Sequence, residues 1–169
     1  MKMKEKSEKN LNDAFAGESK AHMKYNAFGD KAEQENLPNV ARIFRANSYA
    51  EKIHATNHLR TLSGIQGTSE NLKAAIEGET FEVEEMYPKF IKEAQEEQEP
   101  AAERMSIWAK AAEEVHAGLY KKAKGAVDLG QDVDLDAIHV CLVCGFTMEG
   151  DAPDICPVCG TPKNRFKQF

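Results

Sequence analysis

The feature that most constrains this chain is a pattern that occurs twice. Gly17-Glu18-Ser19 is matched by Gly78-Glu79-Thr80, and Ala50-Glu51-Lys52-Ile53-His54 is matched by Ala112-Glu113-Glu114-Val115-His116. Glu18 and Glu51 stand 33 residues apart, Glu79 and Glu113 stand 34 apart, so the chain reads as two similar halves. Each half carries two helical stripes. Leu11, Phe15, Glu18, Ala21, Tyr25 and Phe28 recur at three- and four-residue spacing, followed by Val40, Ile43, Phe44, Asn47, Glu51, His54, His58 and Leu62. The second half runs through Leu72, Ile76, Glu79, Val83, Met86 and Phe90, then Met105, Trp108, Ala112, His116, Leu119 and Ala123. Pro38 and Pro100 suit the first turn of a helix, and Ser69 is the expected cap of the third. Pro88 falls inside the third stripe and predicts a bend there. Four helices joined mostly by short turns predict an all-α, antiparallel four-helix bundle.

These stripes hold charged residues where apolar ones belong. Burying an unpaired charge is costly unless a partner or a metal compensates, yet each helix places at least one there, and the four together offer Glu18, Glu51, His54, Glu79, Glu82, Glu113 and His116 as candidate ligands. The i, i+3 spacing of Glu51/His54, Glu79/Glu82 and Glu113/His116 puts each pair on one helical face. One Glu from each of two helices and a Glu-x-x-His from each of the other two is the donor set of di-iron carboxylate bundles. A lone Glu-x-x-His would read as exposed surface, but two at matched distance behind a Gly-Glu read as ligands. Glu82 breaks the symmetry, because Ala21 stands at the equivalent place. His22, His58 and His139 lack partner spacing and read as ordinary surface or edge histidines. Carboxylates with one imidazole per metal suit iron or manganese better than structural zinc, which points to redox chemistry with dioxygen or peroxide.

All four cysteines lie in the tail, as Cys141-Leu-Val-Cys144-Gly and Cys156-Pro-Val-Cys159-Gly. Two C-x-x-C knuckles read as a tetrahedral thiolate site, and spacing alone fits zinc or a single iron. The tract 125–136, GAVDLGQDVDLD, is acidic and carries two glycines, so it reads as a linker between a bundle over 1–136 and a module over 137–169. A net charge of -6 and a pI near 5.4 argue against a nucleic-acid-binding surface, which needs a clustered positive field. The opening MKMKEKSEKN has no apolar run behind it, and no stretch reaches membrane-spanning length, so neither nucleic acid nor membrane is an expected partner and a cytoplasmic location is expected.

With these motifs in view, the chain resembles the rubrerythrin family over almost its whole length. Phe15-Ala-Gly-Glu-Ser, Ala50-Glu-Lys-Ile-His, Gly78-Glu-Thr-Phe-Glu, Glu85-Met-Tyr-Pro and Ala112-Glu-Glu-Val-His are similar to that family's di-iron segments. The tail, with Cys141-Leu-Val-Cys-Gly-Phe-Thr-Met-Glu-Gly and Cys156-Pro-Val-Cys-Gly-Thr-Pro-Lys, is similar to its rubredoxin-like module. The resemblance implies a ferritin-like bundle and a peroxidase that reduces hydrogen peroxide to water in oxidative-stress defence. Its implied cofactors are a carboxylate-bridged di-iron pair and one iron held by Cys141, Cys144, Cys156 and Cys159. Electrons would enter through the cysteine-bound iron from a rubredoxin or flavoprotein reductase linked to NAD(P)H. It further implies that Glu51 and Glu113 bridge the irons, that Glu18 and Glu79 bind one each, and that His116 sits on the iron held by Glu79. Glu82 and His54 become alternative ligands of the other iron. Tyr25 and Tyr87 match positions that hydrogen-bond the carboxylates, and a head-to-tail homodimer is implied in which one subunit's tail serves the other's bundle. A ferritin-type iron-oxidising protein, or a scaffold with a zinc-ribbon tail, are the competing readings. Glu97-Gln98-Glu99-Pro100 departs from the family, where a glycine is expected at that turn.

Overall fold

The computed structural model describes residues 3–169. It divides into two compact units, one ending at Gln66 and one running over Gly67–Phe169. The first unit is a helical hairpin of α1 (Glu5–Gln34) and α2 (Pro38–Thr61). The second holds α3 (Thr68–Phe81), a π-helical turn at Glu82–Met86, α4 (Tyr87–Glu96), α5 (Pro100–Asp128) and the cysteine module.

Small residues bring α1 and α2 together. Gly29, Ala32, Ala41, Ser48 and Ala55 are the buried positions of the pair. A Cβ on Gly29 would meet the Arg45 Cγ at 3.3 Å and the Ala41 carbonyl oxygen at 3.6 Å, so glycine permits the close approach. His22 adds a polar tie. Its Nδ1 lies 2.9 Å from both the Ser48 hydroxyl and the Ser48 carbonyl, and the Ser48 hydroxyl donates to the His22 carbonyl at 2.8 Å. The expected edge histidine is thus a clamp inside the hairpin. The large apolar side chains of the expected stripes are less enclosed: Phe28, Val40, Ile43, Phe90 and Met105 are all exposed.

The sequence repeat extends into the turns. After α1, Asn36 takes a φ of 58° and Leu37 N–H donates to Ala32 O at 2.9 Å; after α4, Gln98 takes 59° and Glu99 N–H donates to Ala94 O at 2.9 Å. Both are 6→1 closures with a left-handed residue at the helix end, and each is followed by proline at the start of the next helix. The glycine expected at the second turn is replaced by Gln98, which adopts the same conformation.

Two expectations are corrected in the second unit. Ser69 lies inside α3 rather than capping it, since Gly67 holds the N-cap position; its hydroxyl donates to Asp128 Oδ1 at 2.6 Å. Helix α5 runs on to Asp128, so the tract expected as linker from 125 begins irregular structure only at Leu129, with Gly130 at φ 75°. The bend expected at Pro88 takes a specific form. Tyr87 N–H reaches back five residues to Glu82 O, an i→i−5 bond that widens one turn just before the proline ring would clash with the carbonyl of Glu84.

The tail folds as a three-stranded antiparallel sheet in the order β2-β1-β3, with β1 at Ile138–Cys141, β2 at Thr147–Glu149 and β3 at Phe166–Gln168. Val140 pairs with Thr147 and Cys141 with Phe166. His139 Nδ1 lies 2.7 Å from the Gly150 carbonyl, a local strand contact. Among the described residues, no helix is long and apolar enough to cross a membrane.

Candidate metal centres

Each hairpin gathers one triad of the expected ligands. In the first, Glu18 from α1 and Glu51 and His54 from α2 bring ligand atoms within 4.8 Å of one another. His54 Nδ1 is 3.0 Å from Glu51 Oε2. Sharing a hydrogen bond with Glu51, and then partial burial and the charge of Glu51, push the Glu18 carboxyl up, against the opposing pull of His54 and His58. The bonds from Glu18 and His54 hold Glu51 low. The two carboxyls are thus pushed in opposite directions by their mutual contact, at a place where a cation would favour the ionised form of both. His58, read from sequence as an edge residue, is close enough for its charge to act on Glu18.

The second triad repeats the first. Glu79 from α3 and Glu113 and His116 from α5 again lie within 4.8 Å of one another, and His116 Nδ1 is 2.6 Å from Glu113 Oε2 and 3.9 Å from Glu79 Oε1. Burial, then the hydrogen bond and charge of Glu113 and the charge of Glu82, push Glu79 up to about 7. Glu82 opens the π turn and is raised by burial and by Glu113. It lies among these charges without joining the triad. Tyr87 is raised by burial and then by Glu82, Glu113 and Glu79, so its hydroxyl stays protonated beside three carboxylates. Tyr25 stands apart from that pattern: its ring lies 6.3 Å from both Phe28 and Phe44, in an aromatic cluster.

Oxygen-rich triads with a single imidazole have the donor chemistry of iron. The cysteines offer a different fit. Cys141 and Cys159 Sγ are 3.7 Å apart, and Cys144 and Cys156 Sγ are 3.6 Å apart, too long for disulfides. They match the edge of a tetrahedron with metal–sulfur bonds of about 2.3 Å, which is roughly 3.8 Å. Gly145 at φ 79° and Gly160 at φ 76° close the two knuckles, donating to Cys141 O and Cys156 O, each at 2.9 Å. Backbone N–H groups of Phe146 and Thr161 point at Cys144 and Cys159. Burial raises both thiols, but Cys159 ends near 7 because Thr161 N–H and the neighbouring cysteines outweigh it.

The module is tied to α5 of its own chain. His116 Nε2 lies 2.8 Å from the Thr147 hydroxyl, and Lys122 Nζ reaches both oxygens of Glu149 at 2.6 and 2.8 Å. The sequence alone assigns Thr147, Glu149 and Lys122 no role. Thr147 and Glu149 lie in the tail segment that resembles the family's module and share one face of a strand just after the first knuckle, but nothing in that segment names a partner on α5.

A family model described as Rubrerythrin matches residues 9–124, and one described as Rubrerythrin, rubredoxin-like domain, matches 139–167. The chain belongs to the rubrerythrin family. Rubrerythrin-2 of Clostridium acetobutylicum is 36% identical, over 94% of this chain and 94% of its own. Nigerythrin of Nitratidesulfovibrio vulgaris is 34% identical, over 95% of this chain and 85% of its own. The solved structure of nigerythrin in its fully reduced, all-ferrous state covers 100% of this chain and 89% of that one, at 32% identity and a TM-score of 0.56. The rubrerythrin assignment makes this an iron protein of the oxidoreductase class, with a ferritin-like helical part and a rubredoxin-like tail. Its cofactors are a di-iron site and one iron in the four-cysteine site.

Proposed function

We propose that this protein is a peroxidase that reduces hydrogen peroxide to water. The observation that carries the reading is the contact between His116 of the second triad and Thr147 of the cysteine module, because it links the carboxylate site to an electron supply that an iron store would not need. A pair of irons bound there would supply the two electrons that O–O cleavage consumes, with two protons and one peroxide giving two waters. The chain's part is to hold the metals and the protons. The residues that would hold the irons are Glu18, Glu51 and His54 of the first triad and Glu79, Glu113 and His116 of the second. Glu51 and Glu113 would be the shared carboxylates and Glu18 and Glu79 the ligands of one iron each, with His116 on the side of Glu79, and Glu82 and His54 as alternatives for the other iron. Tyr87, kept protonated by burial and three carboxylates, retains a proton at its hydroxyl beside the site. Electrons enter at Cys141, Cys144, Cys156 and Cys159 from an NAD(P)H-linked reductase or a rubredoxin.

The same reading includes a homodimer. Ferritin-like bundles use a long crossover, and the chain between α2 and α3 is residues 62–67. Fully extended it spans about 25 Å, whereas the 24 residues of α2 rise about 36 Å. Its first residues are turned back, with Gly64 N–H on Leu59 O at 2.9 Å. A ferritin-like site is then completed by the first hairpin of one copy and the second hairpin of another, each site keeping the tail of the chain that supplies His116. The exposed apolar residues of both hairpins, Ile43 and Phe81 among them, suit such an association.

The test is peroxide consumption by iron-loaded protein with a reductase, set beside iron retained per chain. Sustained turnover at three irons per chain supports the reading. Many irons per chain without turnover would make it an iron-storage protein, and a colourless four-cysteine site would make the tail a zinc module.

A further inference from the structure

Thr147 is among the few buried polar residues of the chain, at 6% exposure. Its hydroxyl has two partners, the Gly145 carbonyl at 3.0 Å and His116 Nε2 at 2.8 Å. A carbonyl oxygen only accepts, so the one hydroxyl proton belongs to Gly145 and Oγ1 accepts from His116 Nε2–H. The opposite nitrogen, Nδ1, then faces Glu113 Oε2 at 2.6 Å and Glu79 Oε1 at 3.9 Å. That is the nitrogen left to a metal.

The strand that carries Thr147 is fixed at a second point. Two residues on, Glu149 accepts from Lys122 Nζ at 2.6 and 2.8 Å and from the Asp136 N–H at 3.1 Å. His116 and Lys122 are six residues apart on α5, roughly 9 Å along its axis. β2 is therefore attached to α5 at both ends, and Thr147 is the attachment that meets the imidazole edge.

We propose that Thr147 is the positioning residue for His116. It takes Nε2–H, commits Nδ1 to the carboxylate site, and joins the ring through the Gly145 carbonyl to the first cysteine knuckle. This goes beyond the peroxidase reading and rests only on its assignment of His116 as a ligand. A histidine ligand whose second nitrogen is so engaged keeps its orientation and is a stronger base, and loss of such a partner costs about 10- to 100-fold in metal affinity. A plain packing contact between helix and strand would have neither effect.

The test uses the full chain loaded with zinc, with nitrogen-15 in its histidines. His116 is expected to show a metal-shifted Nδ1 and a slowly exchanging Nε2–H. In Thr147→Val the shape is nearly kept and the acceptor lost: Nε2–H exchanges rapidly, and the anaerobic affinity of the carboxylate site for Fe(II) falls about tenfold or more, while the four-cysteine site binds as before. Thr147→Ser restores both. Lys122→Gln loosens the other attachment and leaves the Nε2–H protected. A metal-shifted Nε2, or a Thr147→Val protein unchanged in both exchange and affinity, overturns the proposal. Peroxide turnover is read separately, so its absence would remove the peroxidase function and leave the role of Thr147 standing.

Discussion

At the scale of single residues, the carboxylates define how the protein responds to pH. Glu79 is raised from 4.5 to about 7, first by burial and then by Glu113 and Glu82. A group raised on folding lends stability that is complete below its unfolded value and is lost as pH rises through the folded one. The melting temperature of metal-free protein is therefore expected to fall as pH rises from 4.5 to about 7. Iron replaces the proton as the compensating positive charge, so metal-loaded protein should lose this fall. Glu79→Gln should flatten the metal-free profile. Thermal melts across that window check both points, and a metal-free wild-type profile as flat as that of Glu79→Gln would contradict an origin in this carboxyl. The triads themselves are legible in the sequence, because i, i+3 spacing and the internal repeat put Glu51/His54 and Glu113/His116 on single faces. The contacts of His22 and Thr147 are not, since their partners Ser48 and His116 lie 26 and 31 residues away and no periodicity relates them.

At the scale of elements, the two hairpins share their ligand triads and the form of their turns, and one helical irregularity sets the second apart. Asn36 and Gln98 both sit in the left-handed region, which costs an L-residue about 1–2 kcal/mol while glycine is indifferent. Gln98→Gly is accordingly expected to raise the stability of the protein by roughly 1 kcal/mol, measured by chemical denaturation; an unchanged or lowered midpoint would mean that the Gln98 side chain contributes more than its backbone costs. That irregularity is the π turn at Glu82–Met86. Pro88 announces a bend and the missing counterpart of Glu82 announces an asymmetry, but the i→i−5 bond that joins them is hidden from the sequence. A one-residue widening barely shifts a helical period. The end of α5 misleads for the opposite reason: Gly125 is a weak helix former, yet it lies within a helix whose last turn is tied by Lys124 and Ser69 to Asp128.

At the scale of the whole molecule, the six-residue connection between α2 and α3, residues 62–67, makes a distinctive claim about assembly. If each di-iron site takes its first hairpin from one copy and its second from another, two defective chains can complement. Glu51→Ala removes a ligand from the first hairpin and Glu113→Ala one from the second. Co-produced, they should form mixed dimers in which one site carries both defects and the other none, so peroxide turnover returns in the mixture though each variant alone lacks it. Bundles made within one chain would show no rescue. The central claim, that the carboxylate site and the four-cysteine site act together on peroxide, has a more direct test. Fully reduced, iron-loaded protein is mixed with a small excess of hydrogen peroxide over chain, and the visible band of the oxidised cysteine-bound iron is followed beside the peroxide that remains. The band should appear as the peroxide falls. Peroxide that persists, or that is consumed while the cysteine-bound iron stays reduced, would contradict it.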